Sequence, residues 1–195
     1  MRSGELVNIV AFVRDTKREK LGDHTGPWAE PRSHDEMLED FAGFNDDCRA
    51  LLRSISNPSI WGIFWLPPIE TIRDGATVLI GDAAHATTPH HGAGAGQAVE
   101  DALFLSQLLS HDAVADANNR QAQVHHALDV YYKARHARAV RVQETSFQAG
   151  LLYDFQGPEG GDVDKLKQSL EHRLEWIWDY DTEAKLNEAL AALSQ

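Results

Sequence analysis

The segment 76–102, ATVLIGDAAHATTPHHGAGAGQAVEDA, constrains this chain more than any other. Residues 76–81 are short and apolar and are predicted to form a strand buried on both faces. Asp82 follows at once. A carboxylate at the carboxyl end of a strand in an open α/β sheet stands where such sheets bind ligands. Ala83, Ala84 and Ala86 are small, Pro89 stiffens the chain, and Gly92, Gly94 and Gly96 alternate with Ala93 and Ala95. A surface this small lets backbone N–H groups approach a flat ligand directly. The helix predicted from about Gly96, with Ala98, Ala102, Leu105 and Leu109 on one stripe, aims its positive end at that ligand. Strand end, loop and helix start together suit a polyhydroxylated, partly anionic cofactor.

The flanking chain reads as follows. Residues 5–13 are rich in Val and Ile and predict a strand. Residues 14–33 carry Gly22, Gly26, Pro27 and Pro31 and predict a loop. Ser33 and Glu36 fit a capping box, and apolar residues from Met37 to Ile55 recur at helical spacing, ending before Asn57-Pro58. Residues 60–66 predict another strand. Residues 120–149 predict a long helix, with Asp129 and Lys133 as an i,i+4 pair. Residues 156–162 predict a turn. One helix is predicted to align Leu166, Leu170, Leu174 and Ile177. A last one, capped by Asp181 or Thr182, aligns Leu186, Leu190 and Leu193.

Composition narrows the function classes. The chain has 195 residues, 43% hydrophobic and 25% charged, as in ordinary globular proteins. Its formal net charge of -12 argues against a nucleic-acid surface and against docking on anionic lipid. No apolar run reaches the roughly 20 residues of a membrane helix. A single cysteine, Cys48, excludes an internal disulfide framework and points to a reducing compartment, the cytoplasm.

The string Gly81-Asp82-Ala83-Ala84-His85, Pro89, Gly92, Gly94, Gly96 and Glu100-Asp101-Ala102 resembles the second FAD-binding motif of the class A flavoprotein monooxygenases, of the para-hydroxybenzoate and salicylate hydroxylase type. Weaker likenesses extend over residues 4–13, Trp61 to Pro68, Tyr131 to Arg138, and Trp176, Trp178 and Asp179. The resemblance implies that Asp82 holds the ribityl hydroxyls of FAD. It implies that Ala83 belongs to the same cofactor-binding turn, and that Gly94, Ala95 and Gly96 meet the pyrimidine edge of the ring. Pro89 would lie against the ring where oxygen reacts. The family reaction is reduction by NADH or NADPH, reaction with O2 and hydroxylation of a small aromatic substrate, salicylate-like here. His91 stands where several relatives have glutamine.

The resemblance implies an α+β fold: a partial FAD/NAD(P)-binding architecture of the GR2 type with a helix-rich C-terminal half. Residues 1–70 would be part of the substrate domain, 71–150 the FAD-binding strand, loop and helices, and 151–195 a C-terminal helical segment. The family's G-x-G-x-x-G strand-turn-helix has no counterpart here, because Gly92, Gly94 and Gly96 come well after the strand end. A fragment is therefore expected, associating with a missing N-terminal half or with itself. No catalytic acid or base is assignable. Two other readings remain: a remnant or interaction module that keeps the fold without activity, and a metal-dependent hydrolase using Asp82 with His85, His90 and His91. The expected roles elsewhere are structural. Arg135 and Arg138 pair with acidic residues, and Glu100 and Asp101 are favourable charges in a first helical turn. His125, His126 and His136 are solvated, the tryptophans lie in core or interfaces, and Cys48 is inert on an apolar face.

Overall fold

A computed structural model describes residues 2–14, 26–115 and 117–194. The chain divides into two compact units, Met1–Gly62 and Ile63–Gln195.

In the first unit, strand β1 (Ala29–Pro31) pairs antiparallel with β2 (Ser59–Trp61), setting Ala29 opposite Trp61. Between them run helices α1 (His34–Asp40) and α2 (Asp46–Arg53). The capping box forms as predicted: Glu36 N–H donates to Ser33 Oγ, and Ser33 N–H donates to the Glu36 carboxylate. The single helix predicted beyond it does not form. Asn45 accepts a hydrogen bond from Cys48 N–H at 2.9 Å and starts a second helix, so the apolar period is broken at residues 41–45. Met37, Phe41 and Leu52 form a small core, while Phe44, Leu51 and Cys48 are exposed. The strand predicted over 5–13 is not found: residues 6–14 belong to no strand. An extended segment needs a ladder partner, and β1 and β2 pair with each other instead. The strand predicted over 60–66 shortens to its first two residues for the same reason. Most of the predicted loop, including Gly22, lies outside the described residues.

The second unit is built on helices. Strands β3 (Arg73–Asp74) and β4 (Thr77–Val78) make a minimal hairpin around Gly75, whose φ is +56°. Then come α3 (Asp82–His85), a 3-10 turn at Pro89–His91, α4 (Gly94–Ser110), α5 (Asp112–Ala115) and α6 (Arg120–Tyr153). Helices α7 (Val163–Leu170), α8 (Glu175–Trp178) and α9 (Thr182–Ala192) finish the unit. Helix α6 has 34 residues, and α4, α5 and α9 pack on it. Phe104, Leu108, Val114, Ala127, Tyr131, Ala189 and their neighbours close the core.

Four expectations change here. The strand over 76–81 is only Thr77–Val78, and it is not buried on both faces: Leu79 and Ile80 are 39% and 40% exposed. Among the described residues β4 pairs only with β3, so no parallel neighbour covers it. Helix α4 buries Gln97, Asp101, Phe104 and Leu108, one residue out of phase with the predicted stripe. One residue is a rotation of about 100°, and it turns a carboxylate inward. Asp129 pairs not with Lys133 but with Arg73, whose Nε donates to it at 2.7 Å. The helix predicted through Ile177 breaks at residues 171–174, where His172 has φ +60°.

The turn at 156–162 and the Asp181 cap, which accepts from Ala184 N–H at 2.9 Å, match expectation. No tryptophan is in the core: Trp28, Trp61 and Trp178 are exposed, Trp65 stacks on Phe147 and Trp176 lies beneath Arg141. His125, His126 and His136 are half-buried rather than solvated, and His136 stacks on Tyr132.

Candidate functional site

The strand ends at Val78, so Asp82 does not stand at a strand end as expected; Gly81 turns the chain into α3 with φ +55° and ψ -142°, a conformation that an L side chain resists. The turn lays Gly81 against α4, where a Cβ would meet the Ala98 Cβ at 3.1 Å. Asp82 follows at the first position of α3. It is exposed, and its carboxylate makes no hydrogen bond within the protein among the described residues. Ala83 is exposed beside it, whereas Ala84 faces the core.

The loop then returns to α4. Gly94 passes so near Thr87 that a Cβ would stand 2.8 Å from its Cγ2. Pro89 is exposed at the start of the 3-10 turn, and Gly92 ends that turn with φ +62°. Helix α4 begins at Gly94, two residues earlier than predicted. No side chain caps it, and Ala95 and Gly96 are exposed in its first turn. A Cβ on Gly96 would meet nothing within 4 Å. Its amino end therefore presents free N–H groups and partial positive charge to a face without side chains.

The outward face is held from behind by buried polar groups. Asp101 is fully buried; one carboxylate oxygen accepts from Gly81 N–H at 3.0 Å and from His85 Nε2 at 2.6 Å. Its other oxygen accepts from Arg135 Nε at 3.0 Å. Arg135, also fully buried, donates to Gln97 Oε1 at 2.9 Å and to Glu100. Arg138 donates twice more to Glu100, at 2.8 and 2.9 Å, and lies over the Tyr180 ring at 3.5 Å. Lower down, Gln143 donates to the carbonyls of Leu66 and Ala86 at 2.6 and 3.0 Å. Ser146 donates to the Thr88 carbonyl at 2.6 Å and accepts from His91 N–H at 3.3 Å.

These partners explain the titration behaviour. Burial pulls the Asp101 carboxyl up, but hydrogen bonds from His85 and Gly81, with the Arg135 charge, outweigh it and hold it below the ordinary value. Glu100 is lowered in the same way, by Arg138 and Arg135 against burial. The Tyr131 phenol, buried near Asp101, is raised. His91 is lowered to about 4, first by burial and then by Arg173 and His90.

Of the six residues expected from the sequence, Asp82, Ala83, Pro89, Ala95 and Gly96 are exposed along one folded-back loop and helix start, and Gly94 is half-buried against Thr87. The pairing of Arg135 and Arg138 with acidic residues is as expected, but Glu100 and Asp101 are their partners in the second turn of α4, not free first-turn charges. Gln97, Gln143 and Ser146 were not among the residues expected from the sequence; Ser146, i,i+4 from Val142 on the predicted apolar face, carried a signal, whereas Gln97 and Gln143 lie off the predicted faces. Among the described residues no three His, Cys, Asp or Glu side chains gather as they would around a metal ion.

Residues 17–146 match the FAD binding domain family. The chain belongs to that family. Its relatives within the FAD binding domain proteins include two salicylate hydroxylases of Pseudomonas putida. They are 42% and 39% identical over 99% and 97% of this chain, covering 44% and 42% of their own length. A solved salicylate hydroxylase substrate complex superposes with a TM-score of 0.82 at 40% identity, over 90% of this chain and 42% of that one. The chain therefore spans less than half the length of these relatives. The helix-rich fold with few strands matches the corresponding part of that solved salicylate hydroxylase. No helix among the described residues is long and apolar enough to cross a membrane.

Proposed function

We propose that these residues form the flavin-facing part of a flavin-dependent monooxygenase that hydroxylates a small aromatic acid, salicylate-like, with NADH or NADPH and O2. The observation that carries this reading is the bare face made by Asp82, Ala83, Pro89 and Gly94–Gly96, anchored from within by Asp101. It fits the riboflavin half of FAD. The free Asp82 carboxylate can accept hydrogen bonds from ribityl hydroxyls. The uncapped N–H groups of Gly94, Ala95 and Gly96 can reach a ring edge, because no Cβ stands in front of Gly96. The positive end of α4 favours negative charge at that edge. Pro89 offers a rigid apolar contact to the ring. Bound FAD would supply the redox chemistry, taking electrons from the nicotinamide cofactor and activating O2. The substrate class rests on the similarity to the salicylate hydroxylases.

Residues 1–70 would then contribute to the substrate domain, 71–150 to the flavin site and 151–195 to a helical segment bracing α6. The architecture would be of the GR2 type. Its G-x-G-x-x-G strand-turn-helix, which would hold the ADP half, would lie outside these residues. Titration of the chain with FAD, FMN, riboflavin and ADP, followed by flavin fluorescence, tests this. Binding of this chain to flavin should be weak. FMN and riboflavin should bind within about threefold of FAD, ADP should not bind, and Asp82→Ala should weaken flavin binding about tenfold or more, the loss of a charged hydrogen-bond acceptor. Binding of ADP without FMN, or of zinc without any flavin, would overturn the proposal.

A further inference from the structure

We infer that Asp101 is the positioning residue of this site: from inside the fold it holds the Gly81 backbone and the His85 imidazole, and so sets where Asp82 stands relative to the amino end of α4. What the positioned groups bind rests on the flavin reading above; the positioning itself does not.

Three observations carry it. First, the two carboxylate oxygens are divided between two tasks. Oδ2 takes both loop donors, Gly81 N–H at 3.0 Å and His85 Nε2 at 2.6 Å, and Oδ1 takes Arg135 Nε at 3.0 Å. The acceptor lies 20 residues from Gly81 and 16 from His85, so only the tertiary fold makes these contacts. Second, the acceptor is itself immobilised. Arg135 on α6 is fully buried and bonds Gln97 Oε1, Gln97 O and Glu100, all on α4. Rotation of α4 about its axis would break that fork, so α6 fixes the facing of α4, and α4 fixes the loop. Third, the held atoms border the exposed ones. Gly81 N–H precedes Asp82 by one residue, and His85 closes the helical turn that Asp82 opens. Loss of the anchor frees a backbone whose φ of +55° is otherwise unfavourable for any residue but glycine.

Asp101 touches no ligand in this scheme. It acts through Gly81 and His85. A buried carboxylate holding two donors in one loop is also costly to leave half-paired, so its removal should be felt in that loop before it is felt elsewhere.

Amide hydrogen exchange along the 195-residue chain, with FMN affinity measured in parallel, tests the inference. In Asp101→Asn, exchange over residues 79–93 should rise about tenfold or more beyond any rise in α6 and α9, a local opening on top of the shared loss of the Arg135 pair. His85→Ala should reproduce part of that pattern. His85→Gln should restore protection, since its amide N–H can reach the same carboxylate. This pair decides the matter if Asp101→Asn does not fold. FMN binding should weaken in step with loop exchange. Exchange that rises evenly over the whole chain, or does not rise, overturns the inference, and so does unchanged FMN affinity in a variant with an opened loop. A wild-type chain that binds no flavin but shows the loop pattern sinks the flavin reading and leaves the positioning intact.

Discussion

Gly81 lies so close to Ala98 that a Cβ on the glycine would stand 3.1 Å from the alanine Cβ. This contact seats the turn into α3 on the first turns of α4, and with φ +55° it leaves glycine the only comfortable residue there. Gly81→Ala should cost about 2 kcal/mol, the sum of a strained backbone and a crowded contact. Gly75→Ala, with φ +56° and nothing within 4 Å, should cost only the backbone part, about 1 kcal/mol. Urea unfolding of both variants measures the difference. Equal losses would mean that the Ala98 contact relaxes freely.

Gly96 behaves in the opposite sense. It is helical, and a Cβ there meets open space. Gly96→Ala should therefore stabilise the ligand-free chain by about 0.5–1 kcal/mol. The same methyl would occupy the face proposed for the flavin ring edge, so flavin binding should fall while the unfolding midpoint rises. A variant that gains stability and keeps its flavin affinity would place the ring elsewhere.

The buried ion cluster sets an acid limit. Asp101 and Glu100 have folded values held below their ordinary 3.8 and 4.5. Their contribution is complete above the ordinary values and is lost as pH falls through the depressed folded ones. Arg135→Met removes the guanidinium that faces both carboxylates, and at pH 7 should cost about 3 kcal/mol, because the buried Asp101 keeps only its His85 and Gly81 donors while Glu100 retains Arg138. The gap between wild type and variant should narrow as pH falls below 4.5. A gap that is constant with pH would locate the loss in packing rather than charge.

His91 acts over a higher window. Burial and the charges of Arg173 and His90 lower it from 6.5 to about 4. The unfolded chain binds the extra proton between those values, so this residue's contribution is intact above pH 6.5 and declines as pH falls towards 4. His91→Gln removes the titration and should flatten the stability profile across that window. Unfolding midpoints at half-unit pH steps provide the measurement, and an unchanged slope would assign the acid loss to other groups.

Much of the local structure was legible because its determinants are neighbours in the chain. The Ser33–Glu36 box spans three residues, as does the Asp181 cap on Ala184 N–H. The long helix α6 announced itself by periodicity, and the exposed loop ahead of α4 by the order of small residues after Asp82. The break between α1 and α2 was less visible, although Asn45 capping Cys48 N–H is also local. There the apolar period ran straight through a turn. Strand lengths were not legible, since a strand exists only where a partner pairs with it.

The sequence by itself determined that a bare, glycine-rich loop follows Asp82 and opens a helix, because side-chain size and backbone freedom are properties of single residues. Only the tertiary structure decided which way α4 faces. The periodicity favoured Ala98, Ala102, Leu105 and Leu109, yet the helix turns Asp101 inward, because Arg135, 34 residues further on, compensates a buried carboxylate that hydrophobicity alone would have left in water.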